Sequence, residues 1–105
     1  MKIASDKFVD TTAVDATSTY SIPFEQTSSA AIYAKWTKTA VTGSIIAQWS
    51  ANEDDWVDIG SSANLATAAI YSATVENKGY LFLRLLVTIG SGELDTLQAW
   101  FNAKG

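Results

Sequence analysis

Apolar residues recur at every second position through most of this chain, and a period of two describes a strand with one face buried. In AAIYAKWTK, Ile32, Ala34 and Trp36 point one way, and Tyr33, Lys35 and Thr37 the other. In SIIAQWS, Ile45, Ala47 and Trp49 oppose Ile46, Gln48 and Ser50. GYLFLRLLVTIG is the most apolar run. Leu81, Leu83, Leu85, Val87 and Ile89 share one face, and Tyr80, Phe82, Arg84, Leu86 and Thr88 the other. Because both faces are largely apolar, this run predicts a central strand covered on both sides. Its Val87, Thr88 and Ile89, with Gly79 and Gly90 at the ends, favour strand over helix. In TLQAWFNA, Leu97, Ala99 and Phe101 oppose Gln98, Trp100 and Asn102.

Between these runs, KTAVTGS, ANEDD, GSSAN, ENKG and GSGELD are rich in Gly, Asn, Asp and Ser and predict turns. Pro23 suits an edge strand or a bulge. The spacing predicts one all-β domain over residues 1–105, an antiparallel sandwich, jelly-roll-like or Ig-like, of about seven or eight strands. Residues 1–20 are small and polar, with few anchors beyond Phe8, Val9 and Val14. They read as an extended N-terminal arm or a loosely attached edge.

Composition narrows the function. The 105 residues hold no cysteine and no histidine, which removes disulfides, thiolate metal sites, the commonest general base and the Ser-His-Asp arrangement. The net charge is −4, Arg84 is the only arginine and the lysines are scattered, so no nucleic-acid groove is expected. No run approaches the ~18 apolar residues of a membrane-spanning helix. The opening MKIASDKFVD lacks the apolar core of a secretory signal, so synthesis in the cytoplasm is expected.

The acidic stretch SANEDD lies between two strands, flanked by Trp49 and Trp56, and predicts a hairpin with an exposed tip. A calcium loop needs a Gly at the sharp turn and a distal Glu, and both are missing around Asn52, Asp54 and Asp58. Paired carboxylates on a loop tip are solvated and make poor buried acids. No enzyme activity, metal or cofactor is expected.

Two features point outward instead. Trp100 shares its face with Gln98 and Asn102, while Trp36 and Trp49 share faces with core residues. Arg84 interrupts the most apolar strand and needs a partner, with Glu76, Asp58 or a neighbouring subunit as candidates. Strand alternation therefore marks Trp100, Arg84, Tyr80 and Phe82 as interface candidates, aromatic and arginine-rich as interface cores are.

AQWSANEDDWVDIGS, then GYLFLRLLVTIGSG, then TLQAWFNAKG together resemble the small β-sandwich virion proteins of tailed bacteriophages. In those proteins an S-x-D-G-x-x-W-x-D-L-G hairpin precedes an R-x-x-V-T-x-x-S-G strand. The Gly after the Asp is replaced here, and no residue of the pattern is catalytic. The resemblance covers about two-thirds of the chain, from Ile32 onward. It implies a non-enzymatic protein on the virion surface, of the capsid decoration or cement type. Such a protein would bind the major capsid protein and form a homo-oligomer, commonly a trimer, with no nucleic-acid or membrane partner. The alternative is a small carbohydrate-binding or receptor-binding module at a tail or fibre tip, whose aromatic platform would stay free.

Overall fold

The computed structural model describes residues 3–22, 29–76 and 82–104. They form one antiparallel sheet of six strands: β1 (Ile3–Val14), β2 (Ser18–Ser21), β3 (Ser29–Ser50), β4 (Val57–Asn64), β5 (Ile70–Glu76) and β6 (Phe82–Lys104). β3 and β6, of 22 and 23 residues, pair with each other along almost their whole lengths. On its far edge β6 pairs first with β2 and then with β1. The far edge of β3 takes β5 first and then β4. The sheet therefore has two halves, β1–β6–β3–β5 and β2–β6–β3–β4, joined by the two long strands.

Among the described residues the strands number six, rather than the seven or eight expected. KTAVTGS and GSGELD, expected as turns, lie inside β3 and β6. There the pairing register shifts between Thr37 and Lys38, between Lys38 and Val41, and between Thr42 and Gly43. These bulges bend both strands together, as extra residues in a ladder do. Two glycines permit the close approach: Gly92 has φ of 72°, and a Cβ there would collide with the carbonyl of Ala40. Gly43 would meet the carbonyl of Thr88 in the same way.

The buried side chains on both sides of the bend make one cluster. Ile32, Ala34, Trp36, Leu97, Ala99 and Phe101 come from one half, and Ile45, Ala47, Leu83, Leu85 and Val87 from the other. Two polar contacts reach across this core. Trp36 Nε1 donates to the Leu65 carbonyl at 3.2 Å. The Tyr71 hydroxyl on β5 accepts the Ala47 backbone N–H on β3 at 2.9 Å. Ala47 sits where a bulge shifts the β3–β4 register. Burial raises the Tyr71 phenol above its ordinary value of 10.0; the N–H bond opposes this, and the charge of Asp58 adds to it.

β6 is central in hydrogen bonding, but its second face stays partly exposed along its first half. Phe82 is 37% exposed, Thr88 is exposed, and Arg84 and Leu86 are half-buried. A partner edge on each side satisfies the backbone, and among the described residues no strand layer lies over that face. The apolar content of the run had implied such a layer.

Candidate functional site

Two outward constellations stand on opposite sides of the bend. The first lies on the β1–β6–β3–β5 half. Strand register sets Lys7, Trp100, Tyr33 and Ser72 in one row across the four strands. The next row is Asp10, Gln98, Lys35 and Ile70. The Tyr33 and Trp100 rings lie 5.8 Å apart, tilted by 44°. The ammonium groups of Lys7 and Lys35 each lie 5.4 Å from the Trp100 ring centroid. Each such contact contributes about 0.5–1 kcal/mol at an exposed site. Asp10 accepts from Gln98 Nε2 at 3.3 Å and pairs with Lys7 at 3.6 Å. Beside them Ile70 is 56% exposed. The result is an aromatic platform with lysines around it, held in place by a rigid sheet.

The second constellation lies on the β2–β6–β3–β4 half. Its register row is Ser21, Arg84, Gln48 and Asp58. Arg84 Nε donates to Gln48 Oε1 at 2.9 Å, and Gln48 Nε2 donates to Asp58 Oδ1 at 2.7 Å. So Arg84 does reach Asp58, one of the partners anticipated, but through a glutamine relay. The side chain of Glu76, the other candidate, lies outside the described residues. The guanidinium also stacks on Trp56, 4.0 Å from the ring centroid.

Trp56 is held there by the 51–56 loop. Ser50 Oγ accepts the backbone N–H groups of Asn52 and Glu53, at 3.2 and 2.9 Å. Asn52 Oδ1 accepts those of Asp54 and Asp55, both at 2.9 Å. Trp56 Nε1 donates to the Glu53 carbonyl at 3.1 Å. These are the local side-chain bonds that Ser and Asn offer a turn. Glu53 adopts φ of 66°, unusual for a residue with a side chain. Beneath the loop, Ser50 is fully buried and Gln48 nearly so. Across β3, Trp49 pairs in register with Val57 rather than Trp56.

Between this loop and β2 runs a groove of about 370 Å³, lined by Thr19, Ser21, Glu53, Trp56, Phe82 and Arg84 among others. Of the four interface candidates, Arg84 and Phe82 meet in this groove, and Trp100 stands on the other platform. Tyr80 lies outside the described residues. Sequence reasoning missed Lys7, Tyr33 and Lys35 as neighbours of Trp100. Tyr33 and Lys35 could have been found, since both oppose the core face in AAIYAKWTK. Trp56 as the cover of Arg84 left no sequence signal, because the pairing depends on the loop's path. Among the described residues no group of three or more acidic, histidine or cysteine side chains is placed to hold a metal ion.

No protein-family model and no curated protein sequence matches the chain. Among the solved structures that share its fold are two of different kinds. The PBSX exported protein XepA superposes with a TM-score of 0.69 at 15% identity, covering 97% of this chain and 37% of that one. This chain thus spans little more than a third of XepA's length. The Bacillus endospore appendages, described as a family of disulfide-linked pili, give a TM-score of 0.56 at 20% identity. That match covers 97% of this chain and 88% of the pilus chain. At such identities the likeness is one of fold.

Proposed function

We propose that this chain is a non-enzymatic structural protein of a phage virion, specifically a capsid decoration or cement protein that docks through the Trp100 platform. The observation that carries the reading is that platform. Trp100 and Tyr33 project from a regular sheet, set in place by Lys7 and Lys35, so little side-chain entropy is lost on docking. Aromatic anchors of this kind dominate interface energetics. Tyr33 is 37% exposed and Trp100 partly covered, so burying the ~100 Å² they still expose gives roughly 2.5 kcal/mol of gross attraction at ~25 cal/mol per Å². Repeated over many copies, such contacts raise the barrier to shell rupture.

Three further considerations support the reading. The ordered motifs resemble phage virion proteins. The fold is shared with an exported protein and an appendage pilus. The pili are disulfide-linked, and this sequence has no cysteine, so its own contacts in an assembly would not be disulfides. We read the bent sheet as a two-layer sandwich, in keeping with its least extent of 20 Å and a layer spacing of ~10 Å. The partners in this reading are the major capsid protein and further copies of this chain, grouped as trimers on the shell surface.

The test is rebinding. Particles stripped of the protein are mixed with purified wild type or Trp100→Ala. The variant is expected to keep its circular dichroism spectrum and to bind at least about tenfold more weakly. Equal binding of the two would remove the platform from the docking face.

A further inference from the structure

The groove beside Arg84 is separated from the Trp100 platform by the bend, so the docking reading leaves it without a role. We propose that it is a binding site for a neutral saccharide, one or two pyranose rings in size. This goes beyond the structural reading and does not rest on it.

Size comes first. About 370 Å³ lies at the low end of the ~300–1,000 Å³ typical of small-molecule sites. The lining has the mixed character that a sugar needs. Phe82, 37% exposed, offers a flat apolar surface to the C–H face of a ring. Arg84 has its Nε on Gln48, which leaves the Nη donors of the fork for vicinal hydroxyl oxygens. Glu53 supplies a carboxylate acceptor, and its own loop bonds use only backbone atoms. Ser21 and Thr19 add hydroxyls that both donate and accept.

Charge decides between neutral and anionic ligands. Arg84 and Glu53 line the same groove with opposite signs. Asp54 and Asp55 follow in the loop, and the chain carries −4 overall. An anion attracted by Arg84 would be repelled by these carboxylates, whereas a polyol uses donor and acceptor together.

The site is also preorganised. Trp56 fixes the plane of the guanidinium, the Gln48–Asp58 relay fixes its direction, and Ser50 and Asn52 freeze the loop that carries Glu53. Glu53 holds a left-handed backbone that glycine would adopt more easily. Strain of this kind at a non-glycine residue is found at ligand clamps.

The experiment titrates the intact chain with glucose, galactose, N-acetylglucosamine and maltose, and with glucuronate as the anionic counterpart. The readout is the Trp56 indole N–H resonance, assigned with Trp56→Phe. At least one neutral sugar is expected to give a saturable shift, and Arg84→Lys to weaken it about tenfold. Glu53→Gly separates binding from folding, because it removes the carboxylate while relaxing the backbone. It should bind about tenfold more weakly at unchanged or higher thermal stability. Trp100→Ala should bind as wild type. The proposal is overturned if no neutral sugar gives a saturable shift, if Glu53→Gly binds normally, or if glucuronate binds more tightly than glucose.

Discussion

The Tyr71→Phe substitution tests whether the two halves of the sheet are tied through the core. The Tyr71 hydroxyl accepts the Ala47 N–H at 2.9 Å, and Ala47 is fully buried beside a bulge. Phenylalanine fills the same space but leaves that N–H without its acceptor. A buried donor left unsatisfied costs about 1–3 kcal/mol. For a domain near 100 residues each kcal/mol lowers the melting midpoint by roughly 4–8 °C. Urea unfolding should show a lower midpoint at unchanged slope, which signals lost stability rather than altered compactness. Tyr33→Phe is the control. Tyr33 lies on the outer face, 37% exposed, and its hydroxyl makes no hydrogen bond to the described residues, so a change within about 0.5 kcal/mol is expected. Equal effects of the two substitutions would refute the cross-core tie. The same pair of proteins has a pH signature. Burial raises the folded-state pKa of Tyr71, so above pH 10.0 the unfolded chain releases a proton that the folded chain retains. Stability is then lost as pH rises. Tyr71→Phe should remove part of that alkaline decline, visible as a smaller midpoint drop between neutral and alkaline titrations.

Leu97 is fully buried in the cluster shared by both halves, so Leu97→Ala should cost about 2–5 kcal/mol in denaturant unfolding. Gly92→Ala should cost more than about 1 kcal/mol, because φ of 72° and the Ala40 carbonyl both oppose a side chain there. Trp36→Phe leaves the Leu65 carbonyl without its indole donor, and a loss of about 1–3 kcal/mol is expected by the same unfolding measurement.

The face of each long strand was legible where alternation is unbroken. Ile32, Ala34 and Trp36, then Ile45 and Ala47, then Leu83, Leu85 and Val87, then Leu97, Ala99 and Phe101 are all core residues. The continuity of β3 and β6 was not legible. Gly, Ser and Thr at KTAVTGS and GSGELD serve a hairpin turn and a bulged bend equally well. Only the facing of Val41 by Gly92 across the ladder decides between them. The pairing of β1 was hidden for a similar reason. Ala13, with φ of 53°, breaks the alternation between Val9 and Val14, so both reach the core at an odd separation. At the candidate sites, Arg84 was marked by its misplaced charge, but its hydrogen-bond partner is Gln48, and Asp58 is reached only through that glutamine. The Gln48 relay and the Trp56 stack were invisible, since both depend on the cross-strand register and on how Ser50 and Asn52 fold the loop.

Copy number tests the proposed place in a virion shell most directly. Quantitative mass spectrometry of purified particles from the source culture would give the ratio of this chain to the major shell protein. The expected ratio is about one to one, or one trimer for each local threefold axis. Absence from the particles, or only a few copies in each, would contradict it.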